Sequence, residues 1–214
     1  MEAPFDHVLQ TMDELRELYR MPSMVVARKK AAHMDDVTRA FIAGSPFVLM
    51  ATAGADGTCD VSPRGGPPGF VRVLDERRLA LPDLSGNNLL DSLVNLTANG
   101  HVGLLFLIPG RDETLRIDGQ AWITVDADLL TLWDGELSRP KVAVGVEVEH
   151  AFIHCAKSFR RGRVWDPASW AALAGAPDAC ELLISHIGLD TTAVDVRASL
   201  EESYAHDLAG DRAH

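Results

Sequence analysis

Paired cysteines are missing from this sequence. The three that occur, Cys59, Cys155 and Cys180, lie far apart and form no CxxC, which argues against a disulfide framework and a structural zinc site and suits a reducing, cytoplasmic setting. Basic residues are also scarce: 20 Lys and Arg stand against 31 Asp and Glu, for a net charge of −11. The summed field repels a phosphodiester backbone and an anionic lipid surface, so neither nucleic acid nor a membrane is expected as partner, although a local cluster of cations can still hold one small anion. No apolar run reaches membrane-spanning length. The N-terminus, MEAPFDHVLQTMDEL, carries acids where an export signal carries a basic segment and an apolar run, so the mature chain is expected to begin near Met1. The sequon at Asn95 is then fortuitous. Also missing are a Ser-His-Asp order, a nucleophile elbow, an HExxH helix, any internal repeat and any low-complexity tract.

What the chain does have is 47% hydrophobic residues over 214 positions, enough to bury a proper core. Leu9, Met12, Leu15, Leu18 and Tyr19 recur at helical spacing, which predicts an amphipathic helix over 6–20 with Asp6 as its cap. A second helix is expected over 24–41, its basic run at Arg28, Lys29 and Lys30 forming a solvated face, ending at Gly44. From Phe47 the period changes. FVLMATAG, the turn ADG and TCDVSPR predict a β-hairpin, and FVRVLD with RLALPD predicts the next pair. Leu89, Leu93 and Leu96 mark a helix over 88–98 with a left-handed stop at Asn99-Gly100, followed by the strands HVGLLFLIP, TLRIDGQAWITVD with an irregularity at Gly119, and VAVGVEVEHAFIHC. Six or more strands with one short helix between them predict a mostly antiparallel sheet curled into a small barrel. The tail is again helical. One domain over 1–214 is expected: N-terminal helices in 1–45, the barrel in 46–165 and C-terminal helices in 166–214.

Two stretches, SPRGGPPGF at 62–70 and LPDLSGNNLLDSLVNL at 81–96, carry features that a packed core does not need. Pro63 breaks strand pairing, Arg64 stands at a strand end with a planar fork of donors suited to phosphate or carboxylate, and Gly65 and Gly66 keep bulk away. In the second stretch SGNN precedes a helix whose unpaired amides point at an anion, with Asn87 and Asn88 adding donors or, alternatively, capping the helix together with Ser85. Together Arg64, Asn87 and Asn88 are expected to hold one monophosphate without metal. His150 and His154, four apart on a strand, face one side but stand about 13 Å apart, too far for one ion. Trp122, Trp133 and Trp170 are expected in the core and Cys155 as a small buried hydrophobe. Trp165, beside Arg161 and Arg163, has the best claim of the tryptophans to a ligand.

The order of these blocks resembles the FMN-binding, pyridoxamine 5′-phosphate oxidase-like split barrels. Members of its probable FMN-dependent branch look like FVxMATxxxDGxxDVSPRGDPPGFV, LPDRPGNNRLDSLxNIL and VGLLFLIPGxDETLRIxG; this chain has FVLMATAGADGTCDVSPRGGPPGFV, LPDLSGNNLLDSLVNL and VGLLFLIPGRDETLRIDG. The run covers 47–119, with weaker similarity in HCAKSFRRGRVWDP. The resemblance implies an α+β fold with a six-stranded, mostly antiparallel split β-barrel and flanking helices, and a homodimer with FMN in a groove between subunits. It further implies that Ser62, Pro63 and Arg64 run beside the flavin, that Leu81, Pro82 and Asp83 continue that wall, that Arg64, Asn87 and Asn88 face the phosphate, and that Lys157, Ser158, Arg161 and Trp165 close the groove. Three departures stand out. Asn87-Asn88 occupy the helix start where the oxidases proper carry basic residues, the Arg and His set that grips pyridoxal phosphate is missing, and Gly66 and Leu84-Ser85 replace Asp and Arg-Pro of the branch.

With FMN the hydride chemistry belongs to the cofactor, which accounts for the missing acid-base constellation and leaves no side chain assigned as catalytic. The expected activity is oxidoreduction of a small organic molecule with a reduced nicotinamide or another reductant as electron source. A deazaflavin is a variant of that reading, and a non-catalytic flavin or haem carrier or sensor on the same fold is the alternative.

Overall fold

The computed structural model describes residues 4–212. Its centre is a seven-stranded antiparallel sheet, one strand more than the expected six. The strands are β1 (Phe47–Ala53), β2 (Cys59–Gly65), β3 (Arg72–Val73), β4 (Arg78–Pro82), β5 (His101–Leu107), β6 (Thr114–Thr124) and β7 (Ala143–His154), in the order β2-β1-β5-β6-β7-β4-β3. β2 and β3 are the edges and do not pair, so the sheet is not closed. It is nonetheless strongly curved, because the end of β2 meets the end of β4 across the gap: Arg64 Nη1 donates to Asp83 Oδ1 at 2.8 Å. Alternation sends Val48, Met50, Val102, Leu104, Phe106 and Ile117 inward to a core shared with Met34, Phe70, Leu79 and Trp133. The expected irregularity is present. Between Asp118 and Gly119 the register with β7 shifts, and a Cβ on Gly119 would stand 2.1 Å from the Glu147 carbonyl oxygen.

The N-terminal quarter differs most from the sequence pattern. The first helix, α1 (Met12–Leu18), is capped by Thr11 and not by Asp6: Thr11 and Glu14 form a reciprocal capping box, and no residue of the helix is buried. The long helix expected over 24–41 is two pieces, α2 (Met24–Arg28) and α3 (Asp36–Ala43). Between them the chain extends, pairs Ala31 with Ala151 of β7, and buries Met34 completely. A buried methionine and backbone pairing outweigh one more turn of helix, whose own stability in water is marginal. Arg28 is exposed as expected of the basic run, and of its two lysines Lys30 is exposed and Lys29 half-buried. Both ammonium groups lie over the Phe152 ring, at 5.1 and 5.3 Å, and Lys29 Nζ donates to the Ile153 carbonyl.

After β4 comes α4 (Asp91–Ala98), and short α5 (Ala127–Leu130) lies between β6 and β7. The stop after α4 is extended at Asn99, with φ −145°, in place of the expected left-handed residue. Four helices follow the sheet: α6 (Lys157–Gly162), α7 (Pro167–Trp170), α8 (Ala179–Ile187) and α9 (Ala193–Gly210). The end of α9 returns to the sheet. Ser138 donates from its N–H to Asp211 O at 2.9 Å, and Ser85 N–H donates to Asp211 Oδ1 at 3.1 Å. Trp133 is fully buried and donates to Phe70 O at 2.7 Å, whereas Trp122 and Trp170 are half exposed. Trp122 follows buried Ala121 on β6, so alternation alone turns it outward. Cys155 is exposed, and Cys180 is the buried thiol.

Candidate functional site

The SPRGGPPGF turn carries the chain from one edge of the sheet to the other. Phe70 N–H closes a turn onto Pro67 O at 2.9 Å, and Gly69 has φ +81°, a conformation that side chains resist. A Cβ on Gly66 would lie 2.7 Å from the Phe70 side chain. The clearance at Gly66 is therefore filled by the protein itself and not left open for a ligand. Folding this turn is what delivers Arg64, at the end of β2, to the start of the 83–90 loop.

That loop differs from the expected helix start. α4 begins at Asp91, three residues later than the pattern suggests, and its N-cap is Leu90 in a left-handed conformation with no side-chain cap. Asn88 is left-handed too, with φ 58°. Asn87 caps its own loop instead of the helix, accepting at Oδ1 from Leu89 N–H at 3.1 Å. Among the described residues the first-turn amides of α4 therefore have no side-chain acceptor, and they carry the partial positive charge of a helix N-terminus.

Arg64, Asn87 and Asn88 do converge. Together with Ser62, Pro63, Asp83 and the first turn of α4 they line one cleft of about 240 Å³. Arg64 and Asp83 are both about four-fifths buried, and their ion pair holds the guanidinium across the cleft. Arg64 Nε is buried without a hydrogen-bond partner. An unmade hydrogen bond on a buried donor of this kind costs about 1–3 kcal/mol. Three carboxylates also line the cleft, and two are already engaged: Asp83 by Arg64, and Asp60 by the Ser92 hydroxyl. Neither Asp60 nor Ser92 carried a signal in the sequence. The same is true of Leu208 and Asp211, which line an adjoining cavity with Arg64, Pro82 and Asn87, more than a hundred residues away in the chain. Leu81, expected as a wall, points into the core.

Lys157, Ser158 and Arg161 lie elsewhere. They stand on α6 over a second cavity of about 630 Å³ whose floor is the outward face of β1 and β5. Val61, 60% exposed, lines both cavities. Trp165 lines neither; its Nε1 donates to Arg111 O at 2.8 Å and its ring stacks on Phe159, centroids 5.7 Å apart. His154 is in this second cavity. Burial, together with the charges of Lys29 and Arg116, holds its imidazole below the usual histidine pKa.

A comparison with curated proteins gives no match. Among solved structures, HupZ of Group A Streptococcus is 19% identical, covering 56% of this chain and 92% of its own, at a TM-score of 0.47. General Stress Protein 26 from Bacillus anthracis is 16% identical over 53% and 88% at 0.40. HutZ, the haem storage protein from Vibrio cholerae, is 14% identical over 56% and 93% at 0.39. The family model described as pyridoxamine 5′-phosphate oxidase matches residues 34–155, more than half of the chain and the span from buried Met34 through the end of β7. The chain belongs to the pyridoxamine 5′-phosphate oxidase family.

Proposed function

We propose that the protein is an FMN-dependent oxidoreductase acting on a small organic molecule, working as a cytoplasmic homodimer with the cofactor between subunits. The observation that carries this reading is the convergence of Arg64, Asn87, Asn88 and the uncapped first turn of α4 on one cleft in which Arg64 Nε lacks an acceptor. A phosphate oxygen supplies that acceptor. The donor set fits a monophosphate: a guanidinium fork, two side-chain amides and helix N-terminal N–H groups are the usual means of holding one. Two of the three carboxylates do not spoil the fit, since Asp60 is satisfied by Ser92 and Asp83 orients Arg64.

Bound FMN supplies hydride transfer at its ring, and the protein's part is to bind, orient and set local polarity. Arg64 and the asparagines anchor the phosphate end. Ser62 and Pro63, on the edge strand, give the rest of the cofactor a wall to run along, and Pro63 has no N–H to compete for its polar groups. The cleft alone is below the range of about 300–1,000 Å³ typical of small-molecule sites. A second wall from another subunit, with Trp165 as a contributor, completes it in this reading.

The test is the purified protein's flavin content. Native protein is expected to carry about one FMN per protomer and to bleach with reduced nicotinamide. Arg64→Ala is expected to lose affinity for FMN by about a hundredfold, the scale seen when one partner of a buried charge-assisted contact is removed, with circular dichroism unchanged. Full flavin retained in that variant overturns the phosphate role. A Soret band in place of flavin absorbance moves the protein to the haem-carrier alternative.

A further inference from the structure

The cavity under α6 has a different chemistry from the cleft. Its floor is built from Leu49 and Ala51 of β1 with Gly103 and Leu105 of β5, side chains on the face of the sheet that alternation turns away from the core. An antiparallel sheet with one face on the core normally turns polar residues to the other side. Here the outward face is apolar, and Phe159 walls it from above, its ring backed by Trp165. At about 630 Å³ it falls within the usual range for small-molecule sites.

Its charge is of one sign. Among the described residues no Asp or Glu lines it, although the chain as a whole carries −11. On α6, Lys157 and Arg161 are one helical turn apart and so share a face, and both line the cavity. Among the described residues neither makes an ion pair, whereas Arg160, on another face of the same helix, is held by Asp112. Arg116 on β6 also lines the cavity, with Asp118 on its Nε. Two unneutralised cations over an apolar floor, in an acidic protein, are complementary to an anion with an apolar body. The cleft, by contrast, has a carboxylate already on its arginine.

We infer that this cavity is a separate binding site for a small molecule with a flat apolar body and an anionic group, the apolar part lying on Leu49, Ala51 and Leu105 and the anion meeting Lys157 and Arg161. As an anion site it stands on its own geometry. That its occupant is the substrate of the flavin chemistry rests on the proposed function, with Val61 as the residue shared by the two cavities.

The probes are 2-naphthoate and its uncharged counterpart 2-naphthylmethanol, titrated calorimetrically into the full-length protein while flavin content is read from absorbance. Native protein is expected to bind the carboxylate about tenfold more tightly than the alcohol, and to lose most of that preference between about 50 mM and 500 mM salt. The Lys157→Gln, Arg161→Gln double variant is expected to bind both probes alike with its flavin unchanged. Ala51→Trp, which fills the floor from an exposed position, is expected to bind neither. Equal affinity of the native protein for the two probes overturns the inference, as does a carboxylate preference that survives the double variant. Absence of heat with either probe in a dimeric sample shows the face covered by a second copy and overturns it too. Because flavin is read in the same samples, loss of flavin from native protein marks failure of the FMN reading independently of where naphthoate binds.

Discussion

The cleft at the 83–90 loop and the cavity under α6 both present arginine to a ligand, yet one is neutralised from within and the other is not. Arg64 is held by Asp83 across the gap between β2 and β4, and the same ion pair fastens the open sides of the sheet to each other. Lys157 and Arg161 stand on a six-residue helix at the surface and make no ion pair among the described residues. A buried cation needs a permanent partner, because leaving it unpaired is strongly destabilising. A surface cation does not, since water serves it at little cost. The difference teaches where specificity for an exchangeable anion is more readily placed: on the solvated cations, whose charge is still available.

The largest expected effect removes the frame common to both regions. Gly119→Ala puts a Cβ on the bulge that sets the register of β6 against β7, and hence where Thr114, Arg116 and His154 stand. Because the clash is with backbone, it should cost about 3 kcal/mol or more and lower Tm by about 10 °C in a thermal melt. An unchanged Tm would show the bulge to be dispensable. The next largest effect converts the cleft into something like the cavity. Asp83→Asn keeps the shape but frees Arg64, and is expected to cost about 1–2 kcal/mol in urea denaturation. At the same time inorganic phosphate should bind roughly fivefold more tightly as the repulsion of one nearby carboxylate is removed. If phosphate affinity falls instead, Asp83 orients Arg64 more than it competes with the ligand, and the contrast between the two regions narrows.

How far these regions were legible beforehand follows from the range of the interactions that make them. The hairpin at 47–65 and the Gly119 bulge are written in local turn chemistry and period-2 alternation, and both are where the pattern puts them. Arg64 and the two asparagines were legible as donors because their blocks sit near each other in sequence. The Asp83 ion pair was not, since nothing local says that the curved sheet returns β4 to β2. Met34 reads as one more helical residue until β7 is beside it, and it then becomes core while the helix breaks. The separation of Lys157, Ser158 and Arg161 from the cleft was equally hidden, because it depends on where α6 lands after a twelve-residue strand. Gly66 shows the opposite error. A glycine beside an arginine suggests room for a ligand, and the room belongs to Phe70.

The smallest expected effect sharpens the comparison from the side of the cavity. His154 lies beside Lys29 from the C-terminal end of α2 and Arg116 from β6, with Asp118 as the opposing charge, and burial with those two cations holds its pKa down. Its unfolded pKa is the ordinary one, near 6.5, so the unfolded chain takes up a proton first as pH falls. The stability due to neutral His154 is therefore complete above that value and is lost as pH drops below it. In urea titrations the native midpoint should decline between about pH 7 and pH 5.5, and His154→Gln should decline less over the same interval. Anion binding should move the other way, because a proton gained by His154 adds a third unneutralised cation to the lining; naphthoate should bind more tightly at the lower pH in the native protein and not in the variant. Parallel curves for the two proteins, in both stability and binding, would show that the imidazole is too well solvated to register the field around it, and that the cavity's charge is set by Lys157 and Arg161 alone.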